Sequence, residues 1–504
     1  MQQDRSSSLL FIFVLFAIEV IAITVVELPL NLTFYKFGFH DEGSNLTAHY
    51  LLSRGFSPTV DFGYPYGLLA LVVNRALPSG PYAFQLAMLV VSLSISYALA
   101  VLVASLKLGR SAIALIIFAM PFAVMGLYGN YVHGMEAALL SNGIAQQARG
   151  KRGVALALAT AAVLAKPALG YVYGLILLLA IFGHYMRSEL PRSALLKTLA
   201  PAVITGIGLL TMLTVIFTVE PLMNTIISRS AMSGYRYLDY GFLHAGKTIW
   251  YYTGVRPGYY VGTVSGFYLL GTAALVLAGL VAMARIIRGD LNYCANEIVA
   301  TCAALHTLFI VMMYGNSNSW QYYSYILVFG LAAATTLGAI PARTAWVFAL
   351  MAAIGQKQSC TIISRLWRTT HRSPAVGNLW VLQDEDSEWE KVRRLAAGRK
   401  AVVVSWAGAA FEFAPEVVPR TALYLMPGNS SPIEIERQST AIKQADIVIL
   451  RDDLDFIDWS FKFDKIAEAV SQFHTVWKGR HFQVLERGVE SRKALRSRSF
   501  GFLP

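Results

Sequence analysis

This chain is short of charge. Only 14% of its 504 residues are Asp, Glu, Lys or Arg, against about 25% in a soluble domain. With 56% hydrophobic residues, the deficit excludes an ordinary water-soluble protein for the bulk of the chain and makes lipid its main solvent. Cysteine is far scarcer still. Cys294, Cys302 and Cys360 are the three present; they lack metal-site spacing, and an odd number cannot form a paired disulfide framework. The tail glycines Gly398, Gly408 and Gly428 make no phosphate-binding fingerprint. There is no internal repeat and no low-complexity segment. No carboxylate–histidine cluster compels a metal, so no cofactor is assigned; a divalent ion is allowed but not required. The net charge of +12 would suit nucleic acid, but many of the basic residues sit in short links between apolar runs. There they set membrane topology rather than bind polyanions, and no nucleic-acid partner is expected.

What the chain has in abundance is apolar runs. A span needs about 20 mostly apolar residues. Strong candidates lie at 9–30, 82–105, 111–128, 168–186, 198–219, 262–284, 295–314 and 320–339, and weaker ones at 131–148, 153–165 and 343–356. Together they predict an α-helical polytopic membrane protein with about eleven spans over residues 1–356. The first run lacks a small-residue cleavage site and reads as a retained span. Basic residues gather in one set of short links: Arg5; Lys107 and Arg110; Arg149, Lys151 and Arg152; Arg187, Arg192 and Lys197; Arg285 and Arg288; and Arg343. This set is assigned to the cytoplasm. The opposite loops, 31–81, 220–261 and 315–319, are generally longer and richer in acids, aromatics and glycine.

From about residue 365 the pattern changes. EDSEWEKVRRLAAG, PIEIERQSTAIKQA and FDKIAEAVSQF read as helices; KAVVVSW, RTALYLM, DIVIL and HFQVLER read as strands. The alternation predicts a small soluble α/β domain over 365–504. An odd number of spans puts it on the outer side. Its simplest reading is a packing or docking module without chemistry.

Polar residues concentrate on that outer side. The first loop carries Asp41, Glu42 and Asp61 beside Lys36, His40 and Arg54, among interleaved aromatics. Adjacent carboxylates at a membrane surface suit a general base and its orienting partner; equally, Asp41 or Ser44 would cap a helix starting near Leu46. YGNYVHGMEAALL places His133 and Glu136 near the outer end of the fourth span, where an acid also suits a helix start. In AVLAKPALGYVYG, Lys166 lies in an apolar stretch and Pro167 interrupts helical hydrogen bonding. A lysine there is costly unless it is paired or lines a polar cavity; the alternative is that it snorkels to the interface. Arg229 and Arg236 stand in the outer loop 220–261 among many aromatics. Acids for proton transfer, cations for a phosphate and aromatics for a ring thus share one face.

The order of these features resembles the GT-C superfamily of polyprenyl-phosphate-dependent glycosyltransferases, which includes the protein mannosyltransferases and the aminoarabinose transferase of lipid A. The likeness rests on Asp41-Glu42 after the first span, Gly-Phe-x-Pro-x-x-Asp-Phe at 55–62 followed by Pro65-Tyr66-Gly67, Glu136 opening the fourth span, and Leu164-Ala165-Lys166-Pro167. The resemblance implies an inverting transfer of a sugar from a polyprenyl-phosphate donor to an acceptor hydroxyl on a lipid, glycan or protein. It implies Asp41 as base or positioner with Glu42 as neighbour, Lys166 near the lipid phosphate, and Asp61 and Glu136 as further site residues. Arg229 and Arg236 are assigned to the phosphate by charge alone. The expected location is a bacterial inner membrane, with the site facing the periplasm; a eukaryotic endoplasmic reticulum is the alternative. Three other readings compete: a transporter or lipid flippase, an oligosaccharide polymerase or ligase, and a non-catalytic scaffold for the C-terminal domain.

Overall fold

The computed structural model describes residues 2–26, 48, 52, 55–60, 64, 66–76, 83–125, 131–166, 169–188, 191–226, 262–289, 293–313, 324–374, 379–404, 432–451 and 463–488. Helices account for most of them. α1 is Gln2–Val26, α2 Leu68–Ala76, α3 Ala83–Leu106, α4 Arg110–Met125, α5 Tyr131–Ala148 and α6 Arg152–Ala165. α7 is Leu169–Ser188, α8 Arg192–Phe217, α9 Val219–Ile226, α10 Gly262–Arg288, α11 Tyr293–Met313, α12 Ser324–Thr336 and α13 Ala342–Thr369. Each of the eleven runs expected to span falls on one of these helices, with α2 and α9 as short extras. Four are long and apolar enough to cross a membrane: Leu86–Leu106, Leu169–Met186, Arg192–Phe217 and Gly266–Arg288. Shorter apolar helices lie at Leu9–Val25, Arg110–Pro121, Arg152–Ala165, Ser324–Thr336 and Ala342–Gly355. The chain is a helical polytopic membrane protein.

The position of each helix follows from how much of it its neighbours cover. Of the apolar window in α8 only 11% is buried, against 67% in α3, so α8 faces lipid and α3 lies inside. α12 is the most enclosed, buried from Ser324 through Ala334. It packs on α4, α10 and α11, while α5 packs on α3 and α6. With little hydrophobic drive between helices in lipid, close packing of small side chains holds such a bundle together.

α13 runs farther than its hydropathy suggests. The expected span ends at 356, yet the helix continues to Thr369 and passes directly into a hairpin of β1 (Thr370–Ser373) and β2 (Leu379–Leu382). Trp367 meets Trp380 edge to face, with ring centroids 5.1 Å apart. After the hairpin come α14 (Asp386–Ala396), β3 (Ala401–Val404), α15 (Pro432–Lys443), β4 (Ile447–Arg451), α16 (Asp464–Val470), β5 (Phe473–Lys478) and β6 (Phe482–Arg487).

Four of the six strands form one sheet in the order β3-β4-β6-β5, with β3 parallel to β4 and the other pairs antiparallel. Side chains alternate along a strand, and here the alternation sorts two cores. Val402, Val404, Val448 and Leu450 pack against Ile442 of α15 and Ile466 and Val470 of α16. Ala401, Val403, Ile447 and Ile449 share the other core with Trp389 and Val392 of α14. The tail is thus a three-layer α/β/α unit. Expected strands at β3, β4 and β6 and helices at α14, α15 and α16 are present. β5 and the β1–β2 hairpin were not anticipated, and RTALYLM lies outside the described residues.

Candidate active site

α5 opens at Tyr131, so His133 and Glu136 stand three residues apart on one face of its start. α6 ends at Ala165, because Pro167 lacks an amide hydrogen and disfavours helix in the residue before it. Lys166 is accordingly extended, with φ −153° and ψ 108°, and its own N–H closes on the Ala162 carbonyl at 2.8 Å. This break turns the lysine out of the helical line and toward α5. Its Nζ lies 2.5 Å from His133 Nδ1 and 3.0 Å from Nε2. An ammonium only donates, so the imidazole accepts. Glu136 Oε2 is 3.7 Å from the same Nζ.

The other oxygen of Glu136 has a separate task. Oε1 accepts the N–H of Leu169, the first residue of α7, at 3.1 Å. The carboxylate therefore caps α7, where an anion favours the positive helix end. The sequence reading allowed Glu136 a helix-start role on its own span; the helix it caps is a different one. Glu136 is fully buried, and a buried carboxylate with one cation and one amide partner is tolerable where an unpaired one is not.

The first loop supplies the roof. Gly67 donates its N–H to the Ala165 carbonyl at 2.9 Å. A Cβ at position 67 would sit 2.0 Å from the Leu164 carbonyl oxygen, so only glycine lets this loop lie against the end of α6. That contact sets Tyr66 edge-on to the His133 ring at 6.1 Å, and Tyr64 edge-on to Tyr66 at 5.6 Å. Tyr64, Tyr66, His133, Glu136 and Lys166 are all buried.

Of the residues singled out from sequence, His133, Glu136 and Lys166 are brought together. Asp41, Glu42, Asp61, Arg229 and Arg236 lie outside the described residues. Tyr64, Tyr66 and Gly67 complete the cluster; the signal for the last two was the Pro65-Tyr66-Gly67 string, which carried part of the resemblance but received no role, and Tyr64 stands next to it. Among the described residues, no group of three or more His, Cys, Asp or Glu side chains could hold a metal ion.

A second polar cluster, missed entirely by the sequence reading, occupies the opposite end of the bundle. Arg152, first residue of α6, donates from Nε and Nη2 to Glu297 of α11 at 3.1, 3.2 and 2.7 Å. Gln147 of α5 donates to Glu297 Oε1 at 2.7 Å and to Thr301 at 3.3 Å, and Tyr173 of α7 donates to Gln147 Oε1 at 3.3 Å. One buried carboxylate thus ties four helices. Its partner set is saturated, which suits a clamp rather than a reaction centre.

No protein-family model and no curated protein matches this chain. Among solved structures, it is similar to ArnT from Cupriavidus metallidurans, whose crystal structure holds undecaprenyl phosphate, at 14% identity and a TM-score of 0.39, over 95% of this chain and 98% of that one. A likeness of that size leaves fold and function to be argued from this chain's own residues.

Proposed function

We propose that this protein is a membrane glycosyltransferase that moves a sugar from a polyprenyl-phosphate donor to an acceptor hydroxyl. The observation that carries the reading is the cation Lys166, presented from a helix break beneath an aromatic roof at the end of the bundle opposite the basic links. The motif order described above joins it, and so does the placement of Tyr66-Gly67 directly on Lys166's own helix end. In this reading Lys166 holds the donor phosphate, and Glu136 and His133 hold Lys166. Asp41, with Glu42 beside it, accepts the proton as the acceptor oxygen attacks the anomeric carbon. The C–O bond to phosphate breaks on the opposite face of the sugar, and polyprenyl phosphate leaves with the electron pair. Asp61, Arg229 and Arg236 are assigned to the same pocket. A phosphate leaving group needs little protonation, so electrostatic hold and positioning provide most of the catalysis, with the base worth roughly 10²–10⁴-fold. The membrane is proposed to be a bacterial inner membrane with the site facing the periplasm. The chain divides into a transmembrane region, 1–356, and a soluble region, 365–504, on that same side.

One feature favours transport or lipid flipping as a second reading. Polar side chains follow one another inside the bundle from Tyr173 to Gln147, Glu297 and Arg152. Such a column suits a substrate or proton path.

The test incubates the purified protein in nanodiscs with a panel of polyprenyl-phosphate sugars and an acceptor-lipid extract, and follows donor loss. One donor is expected to be consumed, Asp41→Asn to abolish consumption while donor still binds, and Lys166→Ala to weaken donor binding first. Donor crossing the bilayer intact, with none consumed, would replace this reading with the second one.

A further inference from the structure

A cavity of about 400 Å³ opens where the start of α6, the end of α7 and the start of α8 meet, at the end of the bundle remote from Lys166. Its rim carries Lys151, Lys197, His184 and Thr198, and its walls include Ile181 and Leu195. Gly153 fixes its shape: a Cβ there would stand 2.4 Å from the Thr198 carbonyl oxygen, so α6 and α8 cross at backbone contact beside the opening.

The charges around the cavity are one-sided. Across 149–152 and 184–198 the sequence holds Arg149, Lys151, Arg152, Arg187, Arg192 and Lys197 against the single acid Glu189, which lies outside the described residues. Arg152 is neutralised by Glu297 at 2.7 Å. Lys151 precedes the first residue of α6 and its side chain makes no capping bond, and among the described residues no acid pairs with Lys197. The positive end of α6 adds to the field. Apolar surface surrounds this polar rim: Phe182, Met186 and Leu196 all face outward, toward the acyl chains that α7 and α8 contact.

From this juxtaposition we infer that the cavity is a binding site for the phosphodiester head group of an anionic phospholipid in the leaflet at the basic end. Lys151 and Lys197 pair with the phosphate, and the acyl chains leave along the outer faces of α7 and α8. A basic pocket between helices, open sideways to lipid, selects a phosphate joined to apolar chains. The inference is independent of the proposed sugar transfer, because it uses none of the same residues.

The experiment uses the full chain, delipidated in detergent, with thermal unfolding and native mass spectrometry as readouts. Phosphatidylglycerol is expected to raise the unfolding midpoint and to remain bound as a discrete adduct, while phosphatidylcholine does neither. At about fivefold per lysine, Lys151→Ala with Lys197→Ala weakens retention about 25-fold. Lys107→Ala with Arg110→Ala, which removes the same charge from another link at the same end, leaves retention unchanged. Equal loss in that control, or equal retention of phosphatidylcholine, would overturn the site. Inorganic phosphate that reproduced the shift at equal concentration would overturn the lipid as its ligand. Both lysines are exposed, so the variants keep the fold; Lys197→Glu repeats the test with one substitution.

Discussion

Lys166 and Glu136 are each expensive to bury alone, and each makes the other tolerable. Removing one charge of such a pair strands its partner and costs about 3–5 kcal/mol, while removing both with apolar or neutral isosteres is often nearly neutral. Lys166→Met is therefore expected to lower the unfolding midpoint in detergent sharply, and Lys166→Met with Glu136→Gln to recover most of it. The double variant separates the pair's two duties. If Lys166 holds a donor phosphate, the recovered protein still fails to bind donor; recovered binding would reduce the pair to a structural one. Gln at 136 keeps an oxygen for the Leu169 N–H, so α7 retains its cap. Gly67→Ala tests the roof separately. With 2.0 Å between the added Cβ and a backbone oxygen, no rotamer change relieves the clash, and the loop must lift from α6. Donor binding is expected to fall while the bundle's unfolding midpoint changes little, since the contact lies at the periphery of the membrane core.

Among elements, the basic-end clamp makes a prediction that the outer site does not. Glu297 joins α5, α6 and α11 directly and α7 through Gln147. Glu297→Ala leaves the partly buried Arg152 without its counter-charge, which costs less than the about 3–5 kcal/mol of a fully buried pair, and is expected to lower the midpoint while donor binding in the surviving folded fraction is unchanged. Glu297→Gln, which keeps hydrogen bonding but not charge, is expected to fall between. The elements also show what the sequence could reveal. The apolar runs were legible because lipid demands long apolar helices, and α5, with polar Asn142, Gln146 and Gln147, stood among the weaker of them. β5 was not legible: His474, Thr475 and Val476 of FHTVWK are exposed, so it lacks the apolar run that marked β3 and β4. The second half of α13 was hidden for a similar reason. Its residues QKQSCTIISRLWRT are too polar for a span, and hydropathy does not show that a helix continues into water. The Arg152–Glu297 pair spans 145 positions in sequence, and local pattern carries no information about such a distance. Lys166, by contrast, was legible because a charge followed by proline inside an apolar run is anomalous at a single position.

For the whole molecule, three contacts fix the parity of the crossings. Residue Gly67 bonds Ala165, Thr59 Oγ1 donates to the Pro221 carbonyl at 3.3 Å, and Arg437 Nη1 of α15 donates to the Val60 carbonyl at 2.5 Å. The first loop, the end of α6, the start of α9 and the tail therefore share one face. Between the first loop and the end of α6 run α3, α4, α5 and α6; up to α9, α7 and α8 are added; up to the tail, α10, α11, α12 and α13 follow. Each set is even in number, as a shared face requires if each of these helices crosses the membrane. The link between α3 and α4 is one crossing away from the first loop and must face the other side. The predicted outcome is concrete. Gly109→Cys, at an exposed position where a side chain meets nothing within 4 Å, and Glu390→Cys, exposed on α14, are compared in sealed vesicles of one orientation, using a membrane-impermeant maleimide and the unaltered chain as background. One of the two is labelled at once and the other only after the membrane is opened. Labelling of both from the same side would mean that an odd number of helices between them fail to cross. The pocket built from Lys166, His133 and Glu136 would then lose its place on the face where the tail and the first loop meet.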